Sequence, residues 1–118
     1  MGGTRLSVGI ASDLSETALV TFRALNELSC RMDLSIEGLL IYMAIGSSNV
    51  QKLDDSRTMF TGVTPSHAAK LLNVGVRPLR AWLVKLAAKG LLIRDRYGAY
   101  KVSDMDTWFE VSKLICRT

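Results

Sequence analysis

Apolar positions along the chain fall first into a helical rhythm. Leu14, Ala18, Phe22, Leu25, Leu28 and Met32 recur at three- and four-residue steps, and Ser12 or Asp13 can cap the start. This spacing predicts a helix over about 13–31. The residues before it, rich in Gly, Ser and Thr, read as a flexible arm over 1–12. Ser35 opens a second helix. Its body, Ile36–Ile45, is apolar on most sides, which predicts burial, and Gly46 is its expected stop, since a residue without Cβ readily takes the left-handed turn that follows many helices. Residues 47–63 begin polar and then reach Met59-Phe60-Thr61-Gly62. A connection of that length predicts a short helix around Asn49–Leu53 or a functional loop.

The next start signal is the clearest in the chain. Thr64-Pro65 sets a hydroxyl cap before a proline at the first helical position, where the missing N–H costs nothing. A short helix to about Leu72 follows, with Ala68, Ala69, Leu71 and Leu72 available for packing. Asn73-Val74-Gly75 interrupts it, because Asn tolerates left-handed geometry and Gly permits an abrupt turn. From Arg77 to Lys89, Leu79, Trp82, Leu83 and Leu86 form one core-facing stripe. Pro78 then lies in the first turn, and Arg77, Arg80, Ala81, Val84 and Lys85 fall on the other faces. Gly90 ends the helix. Leu91–Asp95 and Ala99–Ser103 read as two short strands joined by Arg96-Tyr97-Gly98. A last helix, about 104–116, starts at a Ser103-Asp104 cap and carries Met105, Trp108, Phe109, Ser112 and Ile115 on one side.

Composition narrows the possibilities. The chain has 118 residues, 48% hydrophobic and 22% charged, an ordinary mixture for one globular domain, here 13–118. The longest strictly apolar run, Leu39–Ile45, falls well short of the roughly 20 residues that a membrane-spanning helix needs. No secretory signal follows Met1, so the expected location is the cytoplasm, with no membrane partner. Cys30 and Cys116 lack metal-ligand spacing and His67 is the single histidine, so neither a metal, a cofactor nor an enzymatic triad is expected. Asp54-Asp55 reads as a solvated loop pair.

Charge distribution adds more than net charge, which is only +4. Residues 64–103 carry eight basic side chains (Lys70, Arg77, Arg80, Lys85, Lys89, Arg94, Arg96, Lys101) against the single acid Asp95, while both flanks are mildly acidic. So focused a cationic block implies a polyanionic partner. Two helices joined by a three-residue turn, the second burying one face only, with a basic hairpin behind it, make a mainly α fold: a winged helix-turn-helix with flanking helices.

Residues 64–103 resemble the winged helix-turn-helix of bacterial transcription regulators of the MarR type, most tellingly in the run Leu83–Leu92 with its Lys-Gly-Leu lead into the wing. The resemblance extends over about 13–116. The chain departs from the pattern at Gly75, where a Ser or Thr cap is usual, at Pro78 in the recognition helix, in the long 47–63 connection, in the short wing tip, and in a single C-terminal helix where two are common. What the resemblance implies is a homodimeric, sequence-specific double-stranded DNA-binding regulator, a repressor at an inverted-repeat operator. The same motif also serves architectural, partition, replication or protein-interaction modules.

In such domains arginine near the start of the second helix can bond both acceptors of a guanine edge, which singles out Arg77 and Arg80. Val76 and Ala81 are candidates for thymine methyl contact, and Lys85, farther down, for phosphate. Thr64, Ser66 and His67, with the amides of their helix start, offer an uncharged phosphate site. Arg94, Arg96, Tyr97 and Lys101 would let the wing follow the backbone or enter the minor groove. Against these stand plainer readings. His67 suits a polar first turn, Trp82 belongs to the core stripe, Lys70 and Lys89 suit a solvated face, and one of Tyr97 and Tyr100 packs the hairpin. The apolar surplus of the helices at 13–31 and 104–116 predicts the dimer interface. Cys30 and Cys116 lie on these helices, where oxidation would alter that interface, though buried structural thiols are commoner. A small-molecule effector is compatible with the architecture, but no ligand motif is visible.

Overall fold

A computed structural model describes the backbone of residues 8–54 and 57–115, and the side chains of these residues other than 8–15, 17 and 51–58. Element order is α1 (Val8–Met32), α2 (Ile36–Asn49), β1 (Val50–Asp54), β2 (Arg57–Phe60), α3 (Pro65–Leu72), α4 (Val76–Ala88), β3 (Leu92–Arg94), β4 (Tyr100–Val102) and α5 (Met105–Ile115). Among these residues no helix is long and apolar enough to cross a membrane.

The first helix begins at Val8, five residues before the expected cap, so 8–12 belong to α1, while 1–7 lie outside the described residues. Among its described side chains, those of the C-terminal part pack as the periodicity predicts. Leu28 is buried and Leu25 and Met32 lie against the core, whereas Leu19, Val20 and Phe22 are about half exposed. Asp33, at φ 53°, ends it in left-handed geometry, with the Leu34 amide donating to the Ser29 carbonyl at 2.9 Å. Ser35 then caps α2, accepting from the Gly38 amide at 3.1 Å.

Gly46 does not stop α2, which runs on to Asn49. A Cβ there would meet the Trp108 indole at 2.0 Å, so the glycine serves close approach of α5 and not a turn. The indole N–H in turn donates to the Met43 carbonyl at 3.3 Å. Gly38 plays the same part toward Trp82, whose Cζ3 would lie 2.7 Å from an added Cβ. These two contacts let α2 run through the middle of the core, with Leu39, Tyr42 and Ile45 buried, although Leu40 is half exposed. Burial, and secondarily the charge of Asp104, push the Tyr42 hydroxyl up to about 12.

Where a short helix around Asn49–Leu53 or a functional loop was expected, α2 ends at Asn49 and two strands follow among the described residues. Strands β1 and β2 pair antiparallel, with Val50 opposite Phe60 and a register shift between Lys52 and Asp54. That irregularity breaks the two-residue alternation by which a strand is read from sequence. Asp55 lies outside the described residues, as does Cys116.

The remaining elements follow their local signals. Thr64 caps α3, Asn73 ends it at φ 55°, and Gly90 follows α4 at φ 79°. Gly75 caps α4 without a side-chain hydrogen bond. Leu79, Leu83 and Leu86 bury the inner stripe of α4; truncating any of these to alanine would cost about 2–5 kcal/mol. Strands β3 and β4 pair antiparallel, and Val63 exchanges both backbone hydrogen bonds with Tyr100, adding a third short edge to the wing. In α5, Trp108 and Val111 are buried and Phe109 is 38% exposed. Asp104 caps the helix through the Asp106 and Thr107 amides and the Thr107 hydroxyl, which holds its carboxyl below the ordinary 3.8.

Candidate functional site

The start of α3, the outer face of α4 and the wing converge on a groove of about 430 Å³. Thr64, Ser66, Arg80, Arg94 and Tyr97, all expected from sequence, line it together with Pro65, Val84, Gly98 and Tyr100. The sequence reading missed Val84 as a site residue. Its signal was its position four residues after Arg80, on the same face, and it is 59% exposed. Arg77, Ala81, Val76 and His67 are exposed along the α3–α4 surface outside the groove lining, and Arg96 and Lys101 are exposed on the wing.

Several side chains are already engaged. The Thr64 hydroxyl accepts from the His67 amide at 3.3 Å, so His67 is a polar first-turn residue whose backbone completes the cap. Lys85 is not gathered with Arg80. Its ammonium lies 4.9 Å from the Trp82 ring centroid, on the side of α4 that faces the α1–α2 turn. Lys89 donates to the Asp33 carbonyl at 2.6 Å and approaches its carboxylate at 3.4 Å, tying the end of α4 to that turn.

The wing's shape comes from its one acid. The Asp95 carboxylate accepts from the Tyr97 and Ala99 amides at 2.8 and 3.0 Å, and Gly98 takes φ 82° to complete the turn. Asp95 is thereby turned onto the backbone, leaving Arg94, Arg96 and Lys101 as the charged groups the wing offers outward. Arg96 stacks 5.0 Å from the Tyr97 ring centroid, and Tyr97 is 77% exposed, while Tyr100 is the tyrosine that packs the hairpin. No group of three or more His, Cys, Asp or Glu able to hold a metal occurs among the described residues.

The sequence matches no protein-family model and no curated protein. The backbone is similar to two solved structures over nearly its whole length. One is the multiple antibiotic-resistance repressor MarR from Listeria monocytogenes, at TM-score 0.67 and 15% identity over 99% of this chain and 74% of that one. The other is AbfR of Staphylococcus epidermidis, at TM-score 0.58 and 13% identity over 98% and 76%. The fold is MarR-like. In this MarR-like winged helix, α3 and α4 are the helix-turn-helix and β3–β4 the wing, as the residues of 64–103 led one to expect, and α1, α2 and α5 form the helical flank. The β1–β2 hairpin occupies the long connection between flank and helix-turn-helix.

Proposed function

We propose that this chain is a transcriptional regulator that binds double-stranded DNA through the α3–α4–wing face. The observation that carries the reading is the groove itself, where the outward arginines Arg80 and Arg94 flank the start of α3, and the wing's acid, Asp95, bonds to the wing backbone. A duplex laid on this face would meet a surplus of positive charge, with the Asp95 carboxylate bonded to the wing's own amides. Arg77 and Arg80 would read base edges, with Val76 and Ala81 available to methyl groups. Ser66, Thr64, His67 and the wing residues Arg94, Arg96, Tyr97 and Lys101 would hold the phosphate backbone. Lys85, seated over Trp82, would contribute at most a peripheral phosphate contact.

The reading extends to a homodimer acting as a repressor at an inverted repeat in the cytoplasm. What supports the dimer is apolar surface in the flank: Leu19, Val20 and Phe22 on α1 and Phe109 and Leu114 on α5 are between 37% and 56% exposed. A two-fold pair would present two copies of α4 to half-sites about one duplex turn apart. Repression is supported by the MarR-like fold and by the description of the Listeria protein as a repressor.

Selection from a randomised duplex library, on protein whose mass in solution has been measured, tests this reading. A two-fold symmetric enriched motif bound by a dimer is the expected result. Enrichment of a single half-site by a monomer would remove the dimer, and salt-sensitive binding without enrichment would favour an architectural role.

A further inference from the structure

Asn49 is the buried polar residue among the described residues of this core: 0% exposed, at the last turn of α2, with backbone groups of Thr61, Tyr100 and Val102 as the partners of its side chain. Its carboxamide is fully used. Nδ2 donates to the Thr61 carbonyl at 2.7 Å and the Tyr100 carbonyl at 3.1 Å, and Oδ1 accepts from the Val102 amide at 2.9 Å. Its own carbonyl accepts from the Thr61 amide at 2.8 Å. Two carbonyl oxygens on one side and an N–H on the other fix which way the amide points, since the reverse orientation would set oxygen against oxygen.

We infer that Asn49 is the positioning residue of the wing, fixing β4, and with it Arg94 and Arg96, against the end of α2. Among the described hydrogen bonds, those of Asn49 are the only ones that join a side chain of the helical flank to a wing strand. The wing's other described hydrogen bonds to its surroundings stay within its own domain, pairing Val63 with Tyr100 and taking the Ser103 amide to the Leu91 carbonyl and the Ser103 hydroxyl to the Gly90 carbonyl, while Leu92, Tyr100 and Val102 pack in the core. Asn49 therefore links the placement of the wing to the helix that also packs against α1, α4 and α5. No other side chain reproduces this pattern. Aspartate keeps the acceptor but loses both donors, leucine loses all three bonds, and glutamine is one methylene too long for a site with no spare volume. The hold on β4 stands apart from any ligand; its consequence for DNA rests on the function proposed above.

The test pairs two readouts on the full chain. Amide hydrogen exchange is measured on the wild type and on Asn49→Asp, with Asn49→Ser as a smaller second variant should the aspartate chain fail to fold. Duplex affinity is measured for the wild type, the Asn49 variant, Arg96→Ala and the double variant. Exchange at Asp95, Ala99 and Tyr100 should rise about tenfold or more while Leu83 and Leu86 in α4 hold their protection. In the affinity cycle, Arg96→Ala should weaken binding several-fold in the wild type and less than about twofold in the Asn49 variant, because a displaced wing has no contact left to lose.

Exchange that rises equally in α4 and the wing, or in neither, overturns the inference, and so does an equal Arg96→Ala loss in both backgrounds. If the wild type binds no duplex, the proposed function fails on that result alone, and exchange still decides whether Asn49 holds the wing.

Discussion

Along α4, Arg77 and Arg80 in the first half are exposed and make no salt bridge or hydrogen bond among the described residues, whereas Lys85 and Lys89 in the second half are held by Trp82 and Asp33. Four like charges on one helix thus divide into two groups. Lys89 ties the end of α4 to the α1–α2 turn and Lys85 lies over Trp82 of its own helix, while Arg80 and Val84 line the groove beside the wing and Arg77 is exposed outside it. Charge counted along a sequence does not separate these roles, because separation depends on what other elements bring to each face. The division also matches the chemistry of the side chains. A guanidinium offers a fork of donors suited to base edges and phosphates, and an ammonium on a flexible stem suits an aromatic face or a carbonyl.

The largest effect should come from the first half. Arg80→Ala is expected to cost about 1–3 kcal/mol of duplex affinity and to relax preference at one base step per half-site, read from the enriched library profile. Arg77→Ala should act in the same direction. Equal losses on every sequence would reassign both to phosphate. The wing should give a different signature: Arg96→Ala weakens all sequences alike and lowers the slope of log affinity against log salt by about one unit per subunit, measured by titration at several salt concentrations. An unchanged slope would take Arg96 out of the contact surface.

Smaller effects belong to the second half. Lys89→Ala should leave duplex affinity within about twofold and reduce folding stability by at most about 1 kcal/mol in urea denaturation, since both partners of its ion pair are substantially exposed. A large affinity loss would break the distinction between bracing and reading charges. Smallest is a pH effect at another braced charge, Asp104. Hydrogen bonds donated by Thr107, first by its hydroxyl and then by its amide, lower the Asp104 carboxyl, so its support of α5 is present above the ordinary 3.8 and fades as pH falls through the lowered value. Helicity followed on acidification should show this step, and Asp104→Ala should remove it.

Much of the α3–α4–wing face was legible in the chain because its signals are local. Thr64-Pro65, Asn73, Gly90 and the Arg96-Tyr97-Gly98 turn each state a backbone conformation in a few residues, and the structure follows them. What escaped is set by partners distant in sequence. Gly46 has the form of a helix stop and is instead a seat for Trp108, 62 residues later in the chain by number. The β1–β2 hairpin is masked by an irregular register, and Asn49, within an expected loop helix, shows its role only when Thr61, Tyr100 and Val102 surround it. Of the residues singled out from the chain, Thr64, Ser66, Arg80, Arg94 and Tyr97 line one groove, whereas Lys85, expected farther down the helix as a phosphate contact, lies over Trp82.

The most direct test of the central claim is the binding of the full chain to duplex DNA across a salt series, beside the Arg77→Ala/Arg80→Ala double variant and Lys89→Ala. A steep salt dependence in the wild type, lost affinity in the arginine variant and unchanged affinity with Lys89→Ala is the predicted result. Absence of binding by the wild type at low salt, or equal binding by wild type and arginine variant, would contradict it.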